Sequence, residues 1–201
     1  MFIKLFEKDT DTQRIRDIAD TLRRGGVIIY PTDTIYAIGC DINSVKAVQR
    51  VAAIKGLKAE KAAFSIICRD LSNIAAYAKI DNETFKVMKR VLPGPFTFIL
   101  KSSGKLPTIL QSKRKTIGIR VPKNVITMAI VEELGRPLLT TSVHDDDEVL
   151  EYMTDPELIH EKYELLVDIV IDGGYGQNVP STIVDCSGDG IEVLRQGIGE
   201  L

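Results

Sequence analysis

The chain of 201 residues is short of several things that would give it an easy classification. It has three cysteines, Cys40, Cys68 and Cys186, and no CxxC pair. So sparse and odd a count argues against a disulfide scaffold and fits a reducing compartment. Two histidines, His144 and His160, are too few for a His-rich site, which argues against structural zinc. The apolar start Met1–Phe6 is too short for the core of a signal peptide, and no segment approaches the roughly 18 apolar residues of a membrane span. The expectation is a cytoplasmic protein with no membrane partner. There is also no excess of charge: 26 basic against 28 acidic residues leave a net charge of −2. No overall positive field holds nucleic acid, so anion binding must come from a local cluster in a cleft. Finally, the sequence contains no GxxxxGK[ST] phosphate loop, no GxGxxG between strand and helix, no HExxH and no GxSxG elbow.

What is present is ordinary globular material, 44% hydrophobic and 27% charged, enough for a sizeable core. Helical spacing runs through 11–24, where Ile15, Ile18, Ala19 and Leu22 share a face and Gly25-Gly26 stops the helix. Further helices are expected at 44–54, 71–78, 82–91, 124–134 and 156–164. Strands are expected at 27–30, 34–40, 64–68, 96–101, 116–121, 138–141, 167–171, 182–185 and 191–195. Pro93-Gly94-Pro95 is a break that no helix can cross. Alternating helices and strands predict layered α/β structure. Too few residues separate 27–30 from 34–40 for a helical crossover, so the sheet must be mixed. No linker or repeat divides the chain, and a single domain over 1–201 is expected.

Hydroxyls and cations gather at strand ends. Tyr30-Pro31-Thr32-Asp33-Thr34-Ile35-Tyr36 empties a buried strand into a threonine cluster, which serves either as a fixed set of hydrogen-bonding groups or as a solvated turn. Lys55 ends a helix, where the dipole alone favours it, and Lys58 and Lys61 follow. Arg120 alternates in a strand on the same face as Gly118; a buried arginine there is either salt-bridged or reaching for a ligand. Ser142 ends a strand, a usual place for ligand groups in open α/β sheets. Pro180-Ser181-Thr182 and Arg195 complete the set. The acidic run Asp145–Glu148 reads as a solvated loop or, alternatively, as a holder of a divalent ion.

In order, these segments resemble the YrdC-like superfamily over about 12–200. Its pattern is a PTxTxYGLG strand end, KxR, PGPxT, an RxP strand, SAN, an ST strand and RxG. The counterparts are Pro31–Gly39, Lys55, Pro93–Thr97, Arg120-Val121-Pro122, Ser142, Ser181-Thr182 and Arg195-Gln196-Gly197. Leu57 replaces the arginine of KxR, and Ser142-Val143-His144 stands for SAN; these departures resemble the YciO branch.

The resemblance implies one domain with a twisted mixed parallel and antiparallel sheet, helices on its faces and a concave cleft. It also implies synthesis of threonylcarbamoyl-AMP from threonine, bicarbonate and ATP, for the t6A modification of tRNA. In that reading Lys55 and Arg120 are catalytic, and Lys55, Ser142 and Arg195 hold the nucleotide. Thr32, Tyr36, Ser181 and Thr182 hold threonine. Mg2+ arrives with ATP, and the protein supplies no metal site of its own. Lys55, Arg120, Ser142, Arg195, Thr32 and Ser181 are expected to converge. The competing expectation is a module for double-stranded RNA or tRNA without robust catalysis.

Overall fold

The computed structural model describes residues 1–8, 11–59, 62–111, 115–143 and 151–201. Lys61, His144 and the acidic run Asp145–Glu148 lie outside the described residues.

Helix α1, Thr12–Arg23, starts where the Asp11 carboxylate accepts from the Gln13 and Arg14 amides. Its buried stripe is the expected Ile15, Ile18, Ala19 and Leu22, and Gly25 (φ +86°) lets the chain leave it. Strand β2, Val27–Tyr30, is buried at every position, as a strand covered on both faces must be. It turns back into β3, Ala37–Asp41. The expected strand at 34–40 begins three residues late, because hydroxyls occupy the turn before it. Thr32 Oγ accepts from the Thr34 amide and donates to the Ile35 carbonyl.

Two short strands had no signal in the sequence. Strand β1, Phe2–Lys4, is too brief to show a period. Strand β5, Ala78–Lys79, falls in a stretch expected to be helical to 78; the helix there, α3, stops at Ile74 (Leu71–Ile74). The backbone of Tyr77 and Ala78 is instead bound to Ser103 and Ser102.

The remaining elements are α2 (Val45–Ile54), β4 (Ser65–Ile67), α4 (Asn82–Val91), β6 (Phe96–Ser102), β7 (Thr116–Arg120) and α5 (Val125–Leu134). They are followed by β8 (Leu138–Ser142), α6 (Pro156–Tyr163), β9 (Ile169–Asp172), β10 (Thr182–Asp185) and β11 (Glu192–Arg195).

Among the described residues the strands form one sheet in the order β1-β9-β2-β3-β8-β4-β7-β6-β10-β11, with β5 paired to β6. It is mixed as expected: β2–β3 is antiparallel, while β4–β7 and β6–β10 are parallel. Helices α1 and α5 bury one face of β9, β2, β3 and β8 through Ile28, Tyr30, Ala37, Leu138 and Ile169. Helices α2, α4 and α6 bury the opposite face against Ile29, Ile38, Ile66 and Phe98. The face under α1 and α5 continues onto β7, β6 and β10, where its side chains line a cavity. None of the helices among the described residues is long and apolar enough to cross a membrane.

Candidate functional site

Strand register builds the floor of this cavity. Ser65 on β4, Gly118 on β7 and Ile99 on β6 lie abreast, and Asp185 on β10 continues the row. A side chain at Gly118 would collide with the Ser65 hydroxyl and approach the Thr97 methyl at 3.3 Å. These residues therefore share a face, and the missing side chain leaves room above them. The cavity measures about 880 Å³, with Ala59 and Phe64 on one wall and Ile109 and Leu110 on another.

Arg120 stands next along β7. Its side chain is 9% exposed, and Nη2 donates to Asp33 Oδ1 at 3.0 Å and to Thr34 Oγ at 3.0 Å. The other Asp33 oxygen accepts from the Lys123 amide at 2.9 Å. Thr32 and Thr34 join the same group through their hydroxyls, 3.1 Å apart. Because the Thr32 proton goes to Ile35, Thr34 is the donor in that pair. Burial lowers the Arg120 pKa from its ordinary value; Asp33 opposes that shift, and the charge of Arg195 adds to it. Among the described residues Arg120 Nε is buried without a hydrogen-bond partner.

A second group lies on β10 and β11. Ser181 Oγ and Thr97 Oγ are 2.8 Å apart, both buried, and exposed Arg195 donates to the Ser181 carbonyl at 3.0 Å. The charge of Arg195 reaches Arg120 across the intervening strands. Named contacts thus join Thr32 to Arg120 through Thr34 in one group, and Ser181 to Arg195 in another. Lys55 and Ser142 are placed by their elements instead. Lys55 caps α2, half-buried, and Gly56 (φ +66°) turns the chain toward Ala59 in the cavity wall. Ser142 ends β8 opposite Ala37, two residues beyond Thr140, whose partner is Ser65.

Two expected threonine ligands sit inside the protein. Thr182 is fully buried, and its hydroxyl donates to the Gly199 carbonyl at 2.6 Å and accepts from the Gly197 amide at 2.9 Å. It fastens the C-terminal turn. Tyr36 is also fully buried, with its hydroxyl spent on the Gly173 amide and the Gly174 carbonyl. Burial raises its pKa, so it stays a phenol. Both face backbone, not the cavity.

Sequence reasoning did not assign Asp33, Ser65, Thr97 or Gly118 to the site. A signal existed for Asp33, since a buried arginine demands a counter-ion and Asp33 is flanked by the two threonines. Ser65 and Gly118 come together only through β4–β7 pairing, which no local pattern announces.

A family model for Sua5, YciO and YrdC proteins, described as "Telomere recombination", matches residues 20–197. The chain belongs to this family. It is 43% identical over 196 residues to YciO of Escherichia coli (strain K12), an uncharacterized protein, covering 96% of this chain and 94% of that one. The crystal structure of E. coli YciO superposes with a TM-score of 0.92 over 100% of this chain and 97% of that one. A Vibrio vulnificus (strain YJ016) threonylcarbamoyl-AMP synthase is 25% identical over 190 residues, covering 91% of this chain and 98% of its own. The structure of P. abyssi Sua5 complexed with L-threonine gives a TM-score of 0.86 at 25% identity, over 98% of this chain and 57% of that one. Leu57, on the turn after Lys55, is 49% exposed.

Proposed function

We propose that this chain is an ATP-dependent nucleotidyltransferase of the threonylcarbamoyl-AMP synthase type, acting on threonine and bicarbonate and feeding t6A modification of tRNA. The observation that carries the reading is the pair Arg120 and Arg195. Arg120 rests on Asp33 and Thr34, Arg195 rests on the Ser181 carbonyl, and Thr97, hydrogen-bonded to Ser181, lines a nucleotide-sized cavity. Such a site suits anionic reactants. The threonine amine attacks bicarbonate carbon, giving carbamate and water. A carbamate oxygen then attacks the α-phosphorus of ATP, whose bond to pyrophosphate breaks. Neither step needs a protein nucleophile. Both need fixed cations and correct placement, which Lys55, Arg120 and Arg195 supply. Ser142 and Ser181 hold substrate oxygens, and Thr32 braces Thr34 beside them. The likeness to a threonine-bound Sua5 supports threonine as the amino acid.

Among the described residues no group of three or more His, Cys, Asp or Glu side chains is placed to hold a metal. In this reading Mg2+ enters on the ATP phosphates, as that ion prefers.

The test is pyrophosphate release that depends on both threonine and bicarbonate. Leu57 cannot donate to phosphate, and one charged hydrogen bond is worth about 1.5–3 kcal/mol. Leu57→Arg is therefore expected to raise the rate, by up to about a hundredfold. No release from either protein would overturn the synthase reading and favour a module for double-stranded RNA.

A further inference from the structure

Residues 173–181 make an unusual connection. They join β9 to β10, and six strands lie between those two in the sheet. Seven spacings of a flat sheet amount to about 34 Å. The chain from Asp172 to Thr182 reaches at most about 36 Å when fully extended. It is not fully extended, because Gly174 has φ +91°. The sheet must therefore curl, and this segment is a strap that passes over the turn between β2 and β3.

The strap is pegged on Tyr36. The Tyr36 hydroxyl donates to the Gly174 carbonyl at 2.7 Å and accepts from the Gly173 amide at 3.1 Å. A side chain at Gly176 would lie 2.8 Å from the Tyr36 ring, so the strap rests directly on it. The next amide, Gln177, donates to the Thr34 carbonyl at 3.1 Å. Four residues later comes Ser181, bonded to Thr97. One end of the strap thus touches the Thr32–Thr34–Arg120 group, and the other end carries the Ser181–Arg195 group.

We infer that Tyr36 is a positioning residue: it pegs the 173–181 strap and so fixes how far apart the two halves of the anion site stand. Tyr36 touches no reacting atom. Its effect on substrate binding rests on the function proposed above, whereas its effect on the strap does not. A ligand bridging the two halves needs their separation set before it arrives. Loosening the strap weakens ground state and transition state alike, which appears in KM more than in kcat.

Two variants test this from opposite sides. Tyr36→Phe keeps the ring and removes both hydroxyl bonds. Gly176→Ala leaves Tyr36 intact and pushes the strap off the ring. Amide hydrogen exchange is followed by mass spectrometry on the free proteins. In both variants, peptides covering 173–181 and Thr32–Thr34 are expected to exchange at least about tenfold faster, with β3 and β8 unchanged. Unchanged exchange in the strap overturns the inference. So does a faster strap with Thr32–Thr34 and Ser181 unaltered, since the peg would then not reach the site. Where the wild type releases pyrophosphate, KM for threonine should rise about tenfold with kcat held within about twofold. A fall in kcat at constant KM overturns it. A wild type without activity counts against the proposed reaction, and the exchange result then decides the role of Tyr36 by itself.

Discussion

Arg120 and Asp33 are each 9% exposed at the side chain, so neither charge can fall back on water. Removing one member of such a pair strands the other and costs about 3–5 kcal/mol. Asp33→Ala is expected to lose that much in urea unfolding, whether or not the protein is an enzyme. Asp70 makes a smaller and pH-dependent contribution. Hydrogen bonds from Ser72 and the Asn73 amide hold its carboxyl at about 2, below the ordinary value of about 3.9. Its folded-state pKa is depressed, so its contribution is complete above about pH 4 and is lost as the pH falls toward 2. Asp70→Asn should flatten the stability profile in that window, read from urea midpoints at each pH. The effect should be small, because Asp70 is exposed. At this scale the sequence was legible where one residue carries its own demand. Arg120 in an alternating strand called for a partner or a ligand, and the structure supplies Asp33. Thr182 and Tyr36 were not legible, because a hydroxyl spent on backbone far along the chain looks like any other hydroxyl.

Elements with a full period could be read directly. Helices α1, α2, α4 and α5 lie within a residue or two of their expected bounds, since each repeats an apolar face and carries a capping side chain at Asp11, Ser44, Asp81 or Asn124. Strands β1 and β5 are too short for periodicity, and their partners decide them. The cavity floor depends on such pairing. Gly118 lies between Ser65 and Ile99, and any Cβ there meets the Ser65 hydroxyl. Gly118→Ala is expected to fill the floor and, under the proposed function, to weaken ATP binding about tenfold or more, measured by calorimetry. Ser65→Ala in the same chain should restore part of that loss, because it removes the atom the new methyl strikes. Rescue of this kind separates a steric effect at the floor from general damage to β7.

Across the whole molecule, many neighbours in the sheet lie far apart in the chain. Phe2 pairs with Val170, Ile28 with Ile169, Gly39 with Thr140 and Thr97 with Ile183. Closing such long loops before any contact forms makes folding slow. Refolding from urea should take about a second or longer, seen by stopped-flow tyrosine fluorescence. The same pairing has a meaning on the ribosome. At about 5–20 residues per second, Ile169 is added roughly seven to thirty seconds after its β2 partner Ile28. Through that interval the apolar edge of β2 waits without β9, and the nascent chain is a substrate for any chaperone that recognises an unpaired strand.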